Sequence, residues 1–267
     1  MLKDITLGQF FPGTSLIHRL DPRTKMIALL LYIVALFSAK GVASYAVLIL
    51  LLGGCIAVSQ IRFRAFLRGL KPVLIIIGFT ALLNLFLTPG EPIFRFWFLK
   101  ISAQGLRMAI YMVVRIIMLI LGSLLLTYTT SPLSLTDGLE SLFRPLKKLH
   151  VPVHELSMMM SIALRFIPTL IEETDKIMSA QKARGARFDT GNLIQRAKAL
   201  LPLLVPLFVS AFGRADELAV AMECRCYHGD IGRTRMKQLV MEKRDWLALL
   251  AVVIVFMAVL LLGHEGL

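Results

Sequence analysis

Thr174–Ala186 reads TDKIMSAQKARGA, and 41 positions later Ala215–Tyr227 reads ADELAVAMECRCY. At that offset Asp175 falls on Asp216, Ala180 on Ala221 and Arg184 on Arg225. Both segments are charged and helix-favouring, and each ends in an arginine between small residues. The first closes on Ala183-Arg184-Gly185, the second on Cys224-Arg225-Cys226. Each is fed by an apolar run, Leu156–Ile171 and Ala199–Phe212, interrupted by Pro168 in one case and by Pro202 and Pro206 in the other. The stretch from Ser157 to Gly229 is too polar to cross a bilayer comfortably and too apolar for an ordinary loop. Its repeating order of apolar run, acid and arginine predicts two long helices with matching tips.

The remainder of the chain is built for a membrane. Of 267 residues 57% are hydrophobic and 18% charged, against about 25% charged in soluble domains. Mean hydropathy is +0.75. Several apolar runs are long enough to span a bilayer, which predicts an all-α polytopic membrane protein. The net charge of +13 does not call for nucleic acid. Seventeen of the 30 Lys and Arg lie between Arg144 and Arg244, and eight more lie in Lys3–Lys25 and Arg62–Lys71, the distribution expected of cytoplasmic loops. Three cysteines cannot make a disulfide framework, and Cys224 and Cys226 fall in the basic, cytosolic region where thiols stay reduced. The apolar run beginning near Met26 continues into further spans, so the first span is expected to remain as an anchor rather than be cleaved.

Asp21-Pro22 reads as a helix start, Asp capping and Pro at the first position. The first span is Pro22–Ala39, with Lys25 and Lys40 reaching toward the two interfaces. Val42–Ile61 returns, and Arg62, Arg64, Arg68 and Lys71 form a basic loop. Pro72–Thr88 is the third span, with Asn84 its one strongly polar side chain. Pro89-Gly90-Glu91-Pro92 breaks the chain, and aromatic Ile93–Leu99, with Trp97, resembles an interfacial belt. The fourth span is Met108–Tyr128. Leu133–Leu149 is amphipathic, bent at Pro145, and suited to the membrane surface. Arg233–Arg244 leads into a last span, Trp246–Gly263. The domains are thus 1–132 (four spans), 133–244 (cytoplasmic) and 245–267 (final span), with the N-terminus inside and the C-terminus outside.

Arg184 and Arg225 are the leading site residues. A basic residue near a helix C-terminus is favoured by the dipole, with Gly185 and Gly229 as helix stops, and that alone accounts for either arginine. Two at matching places point instead to an interaction tip, since the planar guanidinium binds carboxylates or carbonyls in two places. Cys224-x-Cys226-x-His228 lacks the usual C-x2-C spacing and a fourth ligand, so no metal is expected. His150 and His154 read as surface residues, because Pro152 lies between them. Arg115 lies inside the fourth span, where a charge needs protein or water beside it. Asn84 is a candidate partner, in either a structural or a transport role. Met158-Met159-Met160 reads as core, or as a deformable surface. There is no phosphate loop and no pattern of nucleophile, base and orienting group, so no catalytic residue, cofactor or enzyme activity is expected.

The stretch Pro12-Gly13-Thr14-Ser15-Leu16-Ile17-His18-Arg19-Leu20-Asp21-Pro22-Arg23-Thr24-Lys25, Ala163-Leu164-Arg165-Phe166-Ile167-Pro168 and the two arginine triplets together resemble the transmembrane T component of energy-coupling factor (ECF) transporters, prokaryotic importers of vitamins and metal ions. The resemblance covers most of the chain. It implies about five transmembrane helices plus long cytoplasmic or interfacial coupling helices in an L-shaped arrangement. It implies that Arg184 and Arg225, within Ala183-Arg184-Gly185 and Cys224-Arg225-Cys226, dock into two ABC-type ATPase subunits that bind the ATP. The membrane spans would hold a separate, substrate-binding S component in the plasma membrane. The second triplet departs from the pattern, since Cys226 lacks glycine's backbone freedom. The expected function is a transducer without a substrate pocket of its own. Two other readings are a self-sufficient carrier with Arg115 and Asn84 lining its path, and a scaffold recruiting some other soluble protein through the same arginines.

Overall fold

The computed structural model describes residues 10–87, 92–96, 99–186, 188, 192–229 and 238–264. Pro89–Glu91, Trp97 and the first part of the Arg233–Arg244 lead-in lie outside them. In chain order the helices are α1 (Leu16–Arg19), α2 (Pro22–Ser38), α3 (Val42–Ser59), α4 (Phe63–Leu70), α5 (Leu74–Leu87), α6 (Ala103–Thr129), α7 (Pro132–Phe143), α8 (Val153–Ala183), α9 (Leu193–Glu223) and α10 (Lys243–His264). Between α5 and α6 a short antiparallel hairpin pairs β1 (Pro92–Phe96) with β2 (Leu99–Ser102), where the sequence predicts an aromatic belt segment. Otherwise this is an all-α polytopic membrane protein.

Among the described residues four helical stretches are long and apolar enough to cross a membrane: Val42–Ser59, Phe63–Phe86, Ala103–Thr129 and Lys243–Gly263. To these α2 adds a helix of 17 residues, about 26 Å long, whose unbroken apolar run is Met26–Phe37. The described residues fall into two compact units, one within Leu139–Gln238 and one formed by Gly8–Gly138 with Leu239–Leu267.

The second unit is a helical bundle. Its core is Tyr32, Leu36, Tyr45, Leu48, Leu52, Met118 and Val259, drawn from α2, α3, α6 and α10. Gly122 lets α6 approach α2 closely: a Cβ there would stand 2.9 Å from the Tyr32 ring. At one end of the bundle a polar hub ties three helix termini together. Asp21 caps α2, its Oδ1 accepting the Arg23 N–H at 2.8 Å, as the sequence predicts. The Arg23 guanidinium folds back on the same carboxylate and also donates to the Leu239 carbonyl at 2.8 Å. Asp245, 2% exposed, accepts the Asp21 N–H and the Glu242 N–H, each at 2.8 Å.

Lys25 does not reach outward to an interface as expected. It is 8% exposed, and its Nζ donates to the Thr129 carbonyl at 2.9 Å, to Thr130 Oγ1 at 3.1 Å and to the His18 carbonyl at 3.3 Å. The uncapped C-terminal carbonyl of α6 and the buried carboxylates of Asp21 and Asp245 make the interior site the better one for an ammonium. The hub places the start of α2, the end of α6 and the start of α10 at one end of the bundle.

The expected basic loop at Arg62–Lys71 is also a helix, α4. Phe66 is fully buried against Tyr128 (ring centroids 5.3 Å apart), and the Tyr128 hydroxyl donates to the Ala65 carbonyl at 3.2 Å. That anchor supplies the tertiary packing an eight-residue helix needs. The amphipathic stretch after the fourth span divides in two: α7 gives way at Arg144 to a 3₁₀ turn, Arg144–Leu149, with Pro145 in its first turn.

Candidate functional site

α8 and α9 are each 31 residues long, roughly 46 Å, and both run through their prolines without interruption. A proline removes one N–H, leaving the carbonyls of Leu164, Lys198 and Pro202 without their helical donors. Those are local soft points rather than ends.

The ends themselves are alike. At the tip of α8 the Gly185 N–H bonds the Lys182 carbonyl at 2.9 Å and the Ala186 N–H bonds the Gln181 carbonyl at 3.0 Å. At the tip of α9 the Cys226 N–H bonds the Glu223 carbonyl at 2.8 Å and the Tyr227 N–H bonds the Met222 carbonyl at 3.1 Å. Both are Schellman closures, and the 41-residue offset relates them bond for bond. The residue after each arginine takes the left-handed conformation: Gly185 at φ 90° and Cys226 at φ 54°. Cys226 therefore occupies glycine's place in glycine's conformation, against a preference of about 1–2 kcal/mol. The helix stop expected at Gly229 comes three residues early, at Cys226, and Gly229 (φ 79°) makes a further turn. Arg184 and Arg225 each stand at the C-cap, exposed, with exposed neighbours on both sides.

The two helices meet at equivalent positions. The Glu173 carboxylate receives Arg214 Nη2 at 2.6 Å on Oε2 and the Ser210 hydroxyl at 2.5 Å on Oε1. Glu173 and Arg214 are themselves 41 residues apart, so each arginine tip lies eleven residues, about 16 Å of helix, beyond the crossing. Beyond α9 the Tyr227 hydroxyl returns to Met158 Sδ, at 3.0 Å, beside the first turns of α8. The helices thus pass each other antiparallel, and the tips project in opposite directions from the crossing, at most roughly 33 Å apart along the helices.

The methionines do not form core here. Met159 and Met160 are more than half exposed, while Met158 receives the Tyr227 hydroxyl from beyond the end of α9. His154 pairs with Glu140 at 3.0 Å, a contact that nothing in the sequence spacing announces. His228 Nδ1 lies 2.8 Å from the Cys226 carbonyl oxygen, and Cys224 and Cys226 are exposed free thiols. Among the described residues no three His, Cys, Asp or Glu side chains gather as a metal would require.

Arg115 belongs to the other unit, at the turn joining α2 to α3. Its Nε donates to the Tyr45 hydroxyl at 3.0 Å and its Nη2 to the Ala39 carbonyl at 3.4 Å, with the guanidinium carbon 5.7 Å from the Phe37 ring centroid. Asn84 Nδ2 donates to the Thr80 carbonyl one turn back on α5. Beside Arg115 an apolar groove of about 530 Å³ is lined by Val42, Tyr45, Ile49, Leu106, Arg107 and Ile110.

Residues 13–238 match the model of the CbiQ family, described as cobalt transport protein. The energy-coupling factor transporter transmembrane protein EcfT of Clostridium kluyveri is 54% identical over 263 residues, 97% of each chain. Those of Bacillus subtilis and Lactococcus lactis are 49% and 46% identical, over 95% and 98% of this chain and 96% and 98% of theirs. The chain belongs to the CbiQ family and, within it, to the transmembrane components of energy-coupling factor transporters.

Proposed function

We propose that this chain is a non-catalytic transducer that carries the motion of two cytosolic ATPase subunits to a membrane-embedded S component for micronutrient uptake. Arg184 and Arg225 are the docking residues, each seated with its neighbouring small residues (Ala183 and Gly185, Cys224 and Cys226) in one ATPase subunit. The observation that carries the reading is the crossing of α8 and α9 at Glu173 and Arg214. It sets two identically closed, arginine-capped arms at equal lengths on opposite sides of one fulcrum. Two ATPases that close on ATP and part after hydrolysis would draw such arms together and release them.

The basic character of Arg144–Arg244 supports a reading with the tips in the cytosol, the N-terminus inside and the C-terminus outside. ATP binding and substrate recognition then belong to the partners. Arg115, engaged with Tyr45 and Ala39, braces the bundle rather than lining a path.

The test is co-expression with two ABC-type ATPase subunits of an energy-coupling factor transporter and purification through a tag on this chain, comparing wild type with R184E, R225E and the double variant. Reversing a charge at a desolvated interface costs more than the roughly 2–5 kcal/mol of truncating it, so the double variant is expected to lose both ATPases. ATPases retained by the double variant would place docking elsewhere. Radiolabelled vitamin co-purifying with this chain alone would overturn the absence of a substrate pocket.

A further inference from the structure

Short helix α4 presents three different faces. One, Ala65, Phe66 and Gly69, packs on α6. Phe66 is fully buried, and a Cβ on Gly69 would meet Leu124 at 2.6 Å and the Tyr128 hydroxyl at 3.0 Å. The second, Phe63 and Leu67, is apolar and uncovered, at 62% and 50% exposure. It continues directly into the uncovered Leu74 and Ile75 of α5. The third carries Arg64 and Arg68, both exposed and one helical turn apart, with Arg62 and Lys71 at the two ends.

No Asp or Glu occurs from Pro22 to Gly90, and among the described residues neither Arg64 nor Arg68 has an ion-pair partner. Tyr128 fixes the level of α4. It precedes Thr129, the residue that takes Lys25, so α4 lies at the hub end of the bundle, where the membrane-crossing part of the chain meets water. An apolar face continuous with a spanning helix, beside two unpaired guanidiniums at the interface, matches a phospholipid: tails on one face, phosphate on the next.

We propose that α4 is a binding site for an anionic phospholipid, its phosphate held between Arg64 and Arg68 and its acyl chains lying over Phe63 and Leu67. A zwitterionic lipid offers the same phosphate but brings its own cation to the two arginines, so the site favours a net anionic headgroup. The site is independent of ATPase docking at the helix tips.

The test uses the full chain, purified in detergent and stripped of lipid, then given phosphatidylglycerol or phosphatidylcholine. Retained lipid is counted by native mass spectrometry and the melting temperature is followed in parallel. Wild type is expected to retain phosphatidylglycerol over phosphatidylcholine and to melt higher with it. The R64Q/R68Q variant is expected to retain it about tenfold more weakly, and F63S/L67S to lose retention as well. The K176Q/K198Q variant, which removes the same charge from the exposed faces of α8 and α9, is expected to behave as wild type. Equal retention of the two lipids, equal loss in K176Q/K198Q, or no loss in R64Q/R68Q would overturn the site. So would equal thermal protection by soluble polyglutamate, which has no tails to use the apolar face.

Discussion

Glu173 and Arg214 occupy the same position in two copies of one helical pattern, and they are bonded to each other, 2.6 Å apart. An ion pair between equivalent positions makes the crossing of α8 and α9 close to symmetric, whatever the differences elsewhere in the helices. It also concentrates their mutual orientation in one polar contact, since Ser210 uses the other oxygen of the same carboxylate. Removing Glu173 therefore touches both arms at once.

For E173A we expect a loss of about 1 kcal/mol, modest because both side chains are partly exposed, together with reduced transport by the assembled complex. The exchange E173R/R214E should recover much of both. Melting of the purified chain and uptake by the reconstituted complex, taken as a double-mutant cycle, check this. A coupling energy near zero would mean that the helices are oriented by something else.

The two tips should respond in opposite senses to glycine. G185A puts a Cβ at φ 90° in open space, so strain alone acts, at about 1 kcal/mol of destabilisation. C226G relieves the strained conformation at φ 54°, less the entropy glycine costs the unfolded chain, and should be neutral to stabilising. Hydrogen exchange at the Ala186 and Tyr227 amides reads the two closures separately. Faster exchange at Tyr227 in C226G would contradict the assignment.

Asp245 satisfies two backbone donors from inside the bundle. D245A leaves the Asp21 and Glu242 N–H groups unpaired and Lys25 short of a counter-charge, and should cost about 3–5 kcal/mol. D245N, which keeps one acceptor oxygen, should fall between that and wild type. Urea or thermal unfolding of the purified chain orders the three.

Arg115 separates a brace from a transport path. With R115K the Tyr45 and Ala39 contacts cannot both be held by a single ammonium in the same geometry, and stability should fall by about 1 kcal/mol. Uptake per correctly assembled complex should be unchanged. Uptake lost at undiminished stability would return Arg115 to the path of a carrier.

The sequence told most where a residue's local chemistry governs its place. Asp21-Pro22 starts a helix in any context, and the spacing of the arginine triplets survives into three dimensions because both follow uninterrupted helices of equal length. It told least where tertiary contacts override local preference. A lysine three residues into a membrane helix ordinarily turns toward water, and acceptors brought from elsewhere in the chain, the Thr129 carbonyl 104 residues away among them, make Lys25 an interior residue. Arg62–Lys71 reads as a loop from its charge, but the Phe66 contact with Tyr128 makes it a helix. Cys226 at a glycine position is invisible to propensity, since the bonds from its own N–H and from Tyr227 hold it there. The pairing of Glu173 with Arg214 was within reach: it lies on the same 41-residue offset that relates the tips.

The hub has a consequence for how the protein is made. The Asp21 N–H finds its acceptor 224 residues later, on Asp245. At about 5–20 residues per second, ribosomal synthesis separates the two by roughly 10–45 s. During that interval α2 and α6 can already be joined through Lys25, but the gap awaiting α10 stays open. The bundle is therefore a structure whose keystone is delivered last, and the insertion machinery must hold the earlier helices in register until the final one arrives.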